Sequence, residues 1–310
     1  MGADGVATHP GYPVLGAETG SAKAREAEEK PIRRTCRARQ RRRASVTNLW
    51  IDGAPATSEG LARQALVNYG AYTSFAVDNG AVRGLDRHLA RLVQSADALF
   101  GEAVPEGEIR RQLQLALGDR TRGYARISLF SPEISPRTPD VEGRPSVMVG
   151  VFPPVAPLSE QPLRLQVQTY ARESADLKHV ATFGLIRARR LARRGGFDDA
   201  LFADADGRVS EGTLWNIGFL QGDTVVWPDA PMLAGVSQAL IRDHLSEVGL
   251  GQTTRVIQVE DLPRFDGAFI TNSATPACAV GAIDGHTYGD AGDRVARVAT
   301  AWALAAPQPV

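Results

Sequence analysis

Asp176-Leu177-Lys178-His179, followed by Phe197-Asp198-Asp199-Ala200-Leu201-Phe202, Asp206-Gly207-Arg208-Val209-Ser210-Glu211-Gly212 and Thr213-Leu214-Trp215-Asn216-Ile217, are the residues on which the reading of this chain turns. Two apolar runs on either side of Asp206-Gly207 read as strand, tight turn, strand. Glu211 follows strand residues and precedes a glycine, so its carboxylate falls at the rim of a sheet, facing a cleft. Lys178 stands where a predicted strand at 163–169 gives way to a predicted helix at 177–194, which Gly195-Gly196 stops. A lysine at such a junction can turn its amine into a cleft, where burial lowers its pKa and frees the lone pair for attack on a carbonyl. Position alone is a weak argument, because most lysines are solvated and most acids at strand ends are ordinary edge carboxylates.

Composition sharpens the argument. The 310 residues carry 35 basic and 35 acidic side chains, so the molecule as a whole is no general polyanion binder. Of the basic residues 32 are Arg and 3 are Lys, an excess that GC-rich codons favour. Lys23 and Lys30 fall in an irregular N-terminal stretch, so chemistry that needs a side-chain amine has one candidate in the rest, Lys178. Cys36 and Cys278 give neither a disulfide framework nor metal-ligand spacing, and no metal site is expected. No apolar run approaches the roughly 18 residues of a membrane span. No apolar leader follows Met1, and a soluble cytoplasmic protein is the expectation.

Residues 1–47 read as a disordered, Arg-rich tail without hydrophobic periodicity. Residues 30–43 hold eight basic side chains and no acid, a run able to touch nucleic acid, but no aromatics are interleaved to stack on bases. Order starts near Asn48. Residues 64–78 read as a strand region ending in the hairpin signal Asp78-Asn79-Gly80, and 84–100 and 105–118 as amphipathic helices. Strands are predicted at 124–130 and 146–152, on either side of a Pro-rich loop at 131–145. Clustered prolines in Pro153-Pro154-Val155-Ala156-Pro157-Leu158 resist helix and central strand and mark a boundary. Beyond it strands are expected at 163–169, 199–204, 208–220, 224–227, 254–259, 267–271 and 277–283, with helices near 237–248 and 291–305. The fold class is α+β with two domains: the tail (1–47), a small α+β domain (48–154), a linker (155–161) and a larger domain (162–310).

Two further segments suggest an anion site. Leu233-Ala234-Gly235-Val236-Ser237 opens a helix with Ser237 as the expected N-cap, and Thr271-Asn272-Ser273-Ala274-Thr275 is a hydroxyl-rich turn after a strand. Arg91, in His88-Leu89-Ala90-Arg91-Leu92, supplies a cation on a helix. Each has a plainer reading, as a helix cap, a polar turn and a solvated arginine.

Taken together and in this order, the segments resemble the fold-type IV pyridoxal-phosphate enzymes, the class IV aminotransferase family of branched-chain aminotransferases, D-amino acid aminotransferases and aminodeoxychorismate lyases. The resemblance runs from about Leu49 to about Ala305 and is strongest over 177–242 and 267–283. It implies a smaller N-terminal α/β sandwich, a larger barrel-like C-terminal domain with helices, pyridoxal 5'-phosphate as cofactor, and a homodimer. By the same resemblance Lys178 holds the cofactor and shuttles a proton, and Glu211 pairs with the pyridine nitrogen. Arg91, Val236, Ser237 and Ser273 bind the phosphate; Tyr72, Tyr124, Arg126 and Ala274 face the substrate.

Departures from the family pattern leave the reaction open. Phe183 stands where branched-chain enzymes carry a tyrosine, Thr73 where an acid is usual, and Gln238 where an arginine is common. Lys178-His179 resembles the lyases, whereas Tyr124-Ala125-Arg126 resembles the branched-chain enzymes. Ser131-Pro132-Glu133 lacks the Arg-x-His of the D-amino acid enzymes. The leading expectation is an aminotransferase acting on an amino acid and a 2-oxo acid. The alternatives are a lyase that forms 4-aminobenzoate and, as a minor reading, a nucleic-acid-associated protein using the basic tail.

Overall fold

The computed structural model describes residues 48–310; the 1–47 tail read from the sequence, with its basic run, lies outside the described residues. The N-terminal part contains β1 (Leu49–Ile51), β2 (Ala54–Pro55), α1 (Ser58–Leu66), β3 (Ala71–Val77), β4 (Ala81–Arg83), α2 (Leu85–Phe100), α3 (Glu106–Leu117), β5 (Gly123–Phe130) and β6 (Ser146–Phe152). Five of the strands form a sheet in the order β2-β1-β6-β5-β3. Leu85, Leu89, Leu92 and Ala96 make one stripe along α2 and bury it against Phe75, Ala125, Ile127 and Val149 of the sheet. The Asp78-Asn79-Gly80 hairpin is present, with Asn79 and Gly80 at φ 50° and 71°, the left-handed pair that a two-residue type I′ turn requires.

The C-terminal part runs β7 (Leu163–Thr169), α4 (Phe183–Arg194), β8 (Asp199–Ala203), β9 (Val209–Gly212), β10 (Asn216–Gln221), β11 (Thr224–Pro228), α5 (Val236–His244), β12 (Gly251–Arg255), β13 (Gly267–Asn272), β14 (Thr275–Ile283), β15 (His286–Thr287), α6 (Gly292–Leu304) and β16 (Pro307–Pro309). The sheet order is β12-β11-β10-β13-β14-β7-β8-β9, and β9 pairs back to β10 through Glu211 and Asn216. That last pairing closes six strands into a barrel filled by Leu165, Leu201, Ile217, Phe219, Ile270 and Val280. Alternate residues face outward: Ala200 and Phe202 pack under Leu185, Ala188 and Ala192 of α4. The chain is therefore a two-domain α+β fold of the expected kind.

Several boundaries differ from the sequence reading, each for a local reason. The region read as strand from 64 begins as α1, whose N-cap Thr57 accepts from the Gly60 amide at 3.2 Å; no residue of α1 is buried, so no fully buried stripe marks it as a core helix. The helix expected from 177 starts at Phe183. Residues 178–180 are instead tied to the first sheet: the Tyr72 amide donates to the Lys178 carbonyl at 2.9 Å and the Val180 amide to the Gly70 carbonyl at 2.8 Å. The strand read through 208–220 is interrupted after Gly212, whose amide turns to the Trp215 carbonyl at 3.0 Å. The helix expected to begin at Ser237 starts one residue earlier, at Val236, and its final turn tightens to 3-10 geometry at Leu245–Val248. The strand expected at 254–259 ends at Arg255, and a short 3-10 helix follows at Val259–Arg264.

The far end of the chain returns to the first domain. β16 pairs antiparallel with β4, and Gln308 Oε1 accepts from the Asp86 amide at 3.0 Å in the first turn of α2. Gly84, which precedes α2, is in the left-handed conformation and offers no side-chain cap of its own.

Candidate active site

A cavity of about 370 Å³ opens between the two domains, and every site residue read from the sequence lines it. Arg91 reaches it from α2, Tyr72 from β3, and Tyr124 and Arg126 from β5. Lys178 comes from the segment before α4, Glu211 from β9, Val236 and Ser237 from the start of α5, and Ser273 and Ala274 from the β13–β14 turn. Two domains and seven places along the chain thus converge on one space.

Lys178 is positioned by its backbone, because the hydrogen bond to Tyr72 fixes its carbonyl and so its side-chain direction. Its ammonium lies 4.8 Å from the Tyr72 ring centre and makes no hydrogen bond or ion pair among the described residues. Arg126 stacks on the same ring at 3.8 Å. Burial first, then the guanidiniums of Arg91 and Arg172, push the Lys178 amine down to about 7, with Glu211 partly opposing them. Most of the amine is therefore uncharged just above neutral pH. In the cofactor-free protein, modification of Lys178 by an amine-directed reagent should rise with pH around a midpoint near 7, read by mass spectrometry of the peptide containing residue 178. A midpoint near 10 would contradict the burial argument. The linkage sign follows: a lysine whose folded pKa is depressed costs stability while protonated, so this cost is fully present below about 7 and disappears as pH rises toward the ordinary lysine value.

Glu211 is buried, and its Oε1 accepts from Arg172 Nη1 at 3.2 Å and from the Leu233 amide at 3.3 Å. Burial raises its pKa, and the Arg172 guanidinium opposes that rise. Sequence reasoning missed Arg172, which is one arginine among 32 with no motif to mark it. Its Nη2 also donates to the Leu177 carbonyl at 2.7 Å, so one guanidinium holds both the acid and the turn leading to Lys178.

At the anion end, Arg91 Nη1 donates to the Ala234 carbonyl at 3.2 Å, next to the start of α5, and burial lowers the guanidinium to about 10. The N-cap of α5 is Gly235 and not Ser237, which takes the second helical position. A side chain at residue 235 is excluded, because its Cβ would lie 1.9 Å from Asn216 Oδ1. The correction leaves the chemistry intact: the opening amides of α5 have no intrahelical acceptor, and the Ser237 hydroxyl sits among them. At the other turn, Asn272 Oδ1 accepts from the Ala274 and Thr275 amides at 2.9 and 2.8 Å. Ala274 thus lines the cavity with its amide already engaged.

Two departures seen in the sequence also find their place. Phe183 is 77% exposed and does not line the cavity. His179 does line it; its Nε2 meets the Glu173 carbonyl at 3.0 Å while its buried Nδ1 has no partner.

Comparison with known proteins identifies the family. The family profile described as amino-transferase class IV matches residues 70–283. A probable branched-chain-amino-acid aminotransferase of Rickettsia felis is 26% identical over 217 residues, 66% of this chain and 74% of its own length. The aminodeoxychorismate lyase of Bacillus subtilis is 28% identical over 236 residues, 72% of this chain and 80% of its own. The branched-chain aminotransferase of Thermoproteus uzoniensis, solved with norvaline, superposes with a TM-score of 0.72 at 22% identity, covering 82% of this chain and 93% of that one. Another branched-chain amino acid aminotransferase, solved with pyridoxamine 5'-phosphate, superposes with a TM-score of 0.73 at 19% identity. No helix among the described residues is long and apolar enough to cross a membrane. With its two-domain fold, its profile match over most of the described residues and its relatives named as aminotransferases and a lyase, the chain belongs to the class IV aminotransferase family of pyridoxal-phosphate-dependent enzymes.

Proposed function

We propose that the protein is a pyridoxal 5'-phosphate-dependent aminotransferase that moves an amino group between an amino acid and a 2-oxo acid. The observation that carries this reading is the unpaired, near-neutral amine of Lys178, in one cavity with the buried acid Glu211 and the Arg91–α5 anion site. The donor set fits the cofactor. An amine is free to hold it, a carboxylate can meet a protonated ring nitrogen, and a guanidinium, free helix amides and the Ser237 and Ser273 hydroxyls can hold a phosphate. Arg91 Nε is buried without a partner, a donor left for that anion.

When bound, the cofactor supplies a sink for the electrons released as the substrate Cα–H bond breaks. The chain's own residues do the rest. Lys178 Nζ, unpaired and lowered toward neutrality, would hold the cofactor and then take up the substrate Cα proton. Glu211, whose charge the Arg172 guanidinium favours against the cost of burial, would hold a proton at the ring nitrogen. Tyr72, Tyr124 and Arg126 face the substrate, and Arg126, with no acidic partner among the described residues, is the cation for its carboxylate. The homodimer is part of the proposal: Phe183 and Ile186, 77% and 57% exposed on α4, are apolar surface that a second copy would cover.

A lyase reaction is the second reading, supported by the unpartnered Nδ1 of His179 beside Lys178 and by the Bacillus subtilis relative. Both reactions begin with the same proton abstraction, so products must separate them. Purified protein loaded with pyridoxal 5'-phosphate should show a visible absorbance band that borohydride removes, and should convert a 2-oxo acid to an amino acid when given a donor. Release of 4-aminobenzoate and pyruvate from aminodeoxychorismate, without amino acid formation, selects the lyase. Absence of the band after added cofactor ends both readings.

A further inference from the structure

The Arg91 guanidinium is aimed by neutral partners. Its Nη2 donates to Thr73 Oγ1 at 3.0 Å, its Nη1 to the Ala234 carbonyl, and it forms no salt bridge among the described residues. An arginine only donates, so Thr73 Oγ1 accepts here and its own proton is free. The atom that proton meets is His88 Nδ1, 2.7 Å away. Both residues are buried, Thr73 at 0% exposure and His88 at 1%, so water does not compete for these bonds. Burial, with Arg91 and Lys178 near it, pushes the His88 pKa well below its ordinary value, so the ring is neutral; with the Thr73 proton directed at it, Nδ1 is assigned as the acceptor and Nε2 as the protonated nitrogen. Donation thus runs in one direction, from Arg91 to Thr73 to His88.

We propose that Thr73 and His88 are positioning residues for the phosphate grip, aiming the Arg91 guanidinium through uncharged hydrogen bonds so that its whole charge is left for the anion. His88 also lines a second cavity of about 340 Å³, which it shares with Ser237 and Ser273, so the end of the chain of bonds lies beside two hydroxyls of the same grip. The proposal rests on the reading of the main cavity as a pyridoxal 5'-phosphate site.

The test compares two probes that differ only in the phosphate. Dissociation constants for pyridoxal 5'-phosphate and for pyridoxal are measured by absorbance titration in wild type, Thr73→Val, Thr73→Ser, His88→Leu and His88→Asn. Losing one hydrogen bond to a charged group should weaken phosphate-bearing cofactor roughly 10- to 100-fold in Thr73→Val, while pyridoxal changes by no more than about twofold. Thr73→Ser, which keeps the hydroxyl, should restore most of the difference. His88→Asn, whose amide oxygen can replace Nδ1 as acceptor, should bind the phosphate form better than His88→Leu. If Thr73→Val does not fold, the His88 pair carries the same comparison. Where the wild type favours the phosphate form, an equal loss for both probes or an unchanged preference in the variants overturns the positioning role alone. A wild type that binds pyridoxal 5'-phosphate no better than pyridoxal overturns both the role and the functional reading beneath it.

Discussion

Lys178→Ala is expected to lose turnover by about a thousandfold or more, together with the visible absorbance of the cofactor-loaded protein. No other lysine stands among the described residues, so none can take over the amine's two proposed tasks, holding the cofactor and carrying the proton. The loss should not come from unfolding. The Lys178 ammonium makes no hydrogen bond or ion pair among the described residues, and its depressed pKa marks it as a net cost while charged. Removing it should make the cofactor-free protein more stable than wild type below pH 7, with the gain shrinking as pH rises and gone only near the ordinary lysine value, measured by denaturant unfolding at pH 6, 8 and 10. Lys178→Arg separates charge from chemistry: it keeps a cation in the cavity and should be as inactive as the alanine protein. Substantial turnover in either variant would remove Lys178 from the mechanism.

The second large effect belongs to Glu211, and here stability and activity should part company. The Arg172–Glu211 pair is 6% exposed on each side, so Glu211→Leu leaves a buried guanidinium without its acid. Breaking such a pair costs about 3–5 kcal/mol. Replacing both partners, Glu211→Leu with Arg172→Leu, should recover much of that stability, because no uncompensated charge remains. It should recover no activity, since neither side chain can then hold a proton at the cofactor's ring nitrogen. Glu211→Gln is the gentler probe. Its amide oxygen still accepts from Arg172 and Leu233, so folding should be nearly intact, while kcat falls roughly 10²–10³-fold for want of the negative charge. Wild-type kcat in Glu211→Gln would refute the assigned pairing. A double variant no more stable than Glu211→Leu would show that the arginine is not the group left stranded.

What could be read in the sequence, and what could not, follows from rarity and reach. Lys178 stood out because arginine had taken nearly every other basic position; Glu211, Arg91 and the two hydroxyl-bearing segments could be placed by their order along the chain. Arg172 was hidden by the same arginine excess, since the contact that defines it spans 39 residues and leaves no local spacing. Ser237 looked like an N-cap because serine favours that position, but the N-cap is Gly235, where an added Cβ would meet Asn216 Oδ1 at 1.9 Å. The course of residues 178–180 is likewise a tertiary result: the segment from 177 was read as helix, yet the Lys178 carbonyl and the Val180 amide are claimed by Tyr72 and Gly70 from the other domain. Elements with their own hydrophobic phase, such as α2, β6 and β7, were read almost to the residue.

The pairing of β16 with β4 carries a consequence for the order in which the protein becomes competent. The Asp86 amide that opens α2 is satisfied by Gln308, 222 residues later, and Arg83 and Pro307 pair across nearly the same span. During synthesis, the helix that bears Arg91 emerges long before the strand that finishes it. Contacts of such sequence separation form late and slowly, because the loop they close must be ordered first. The proposed phosphate grip is therefore among the last parts of the molecule to be completed, and the gain of cofactor fluorescence during refolding should trail the recovery of secondary structure.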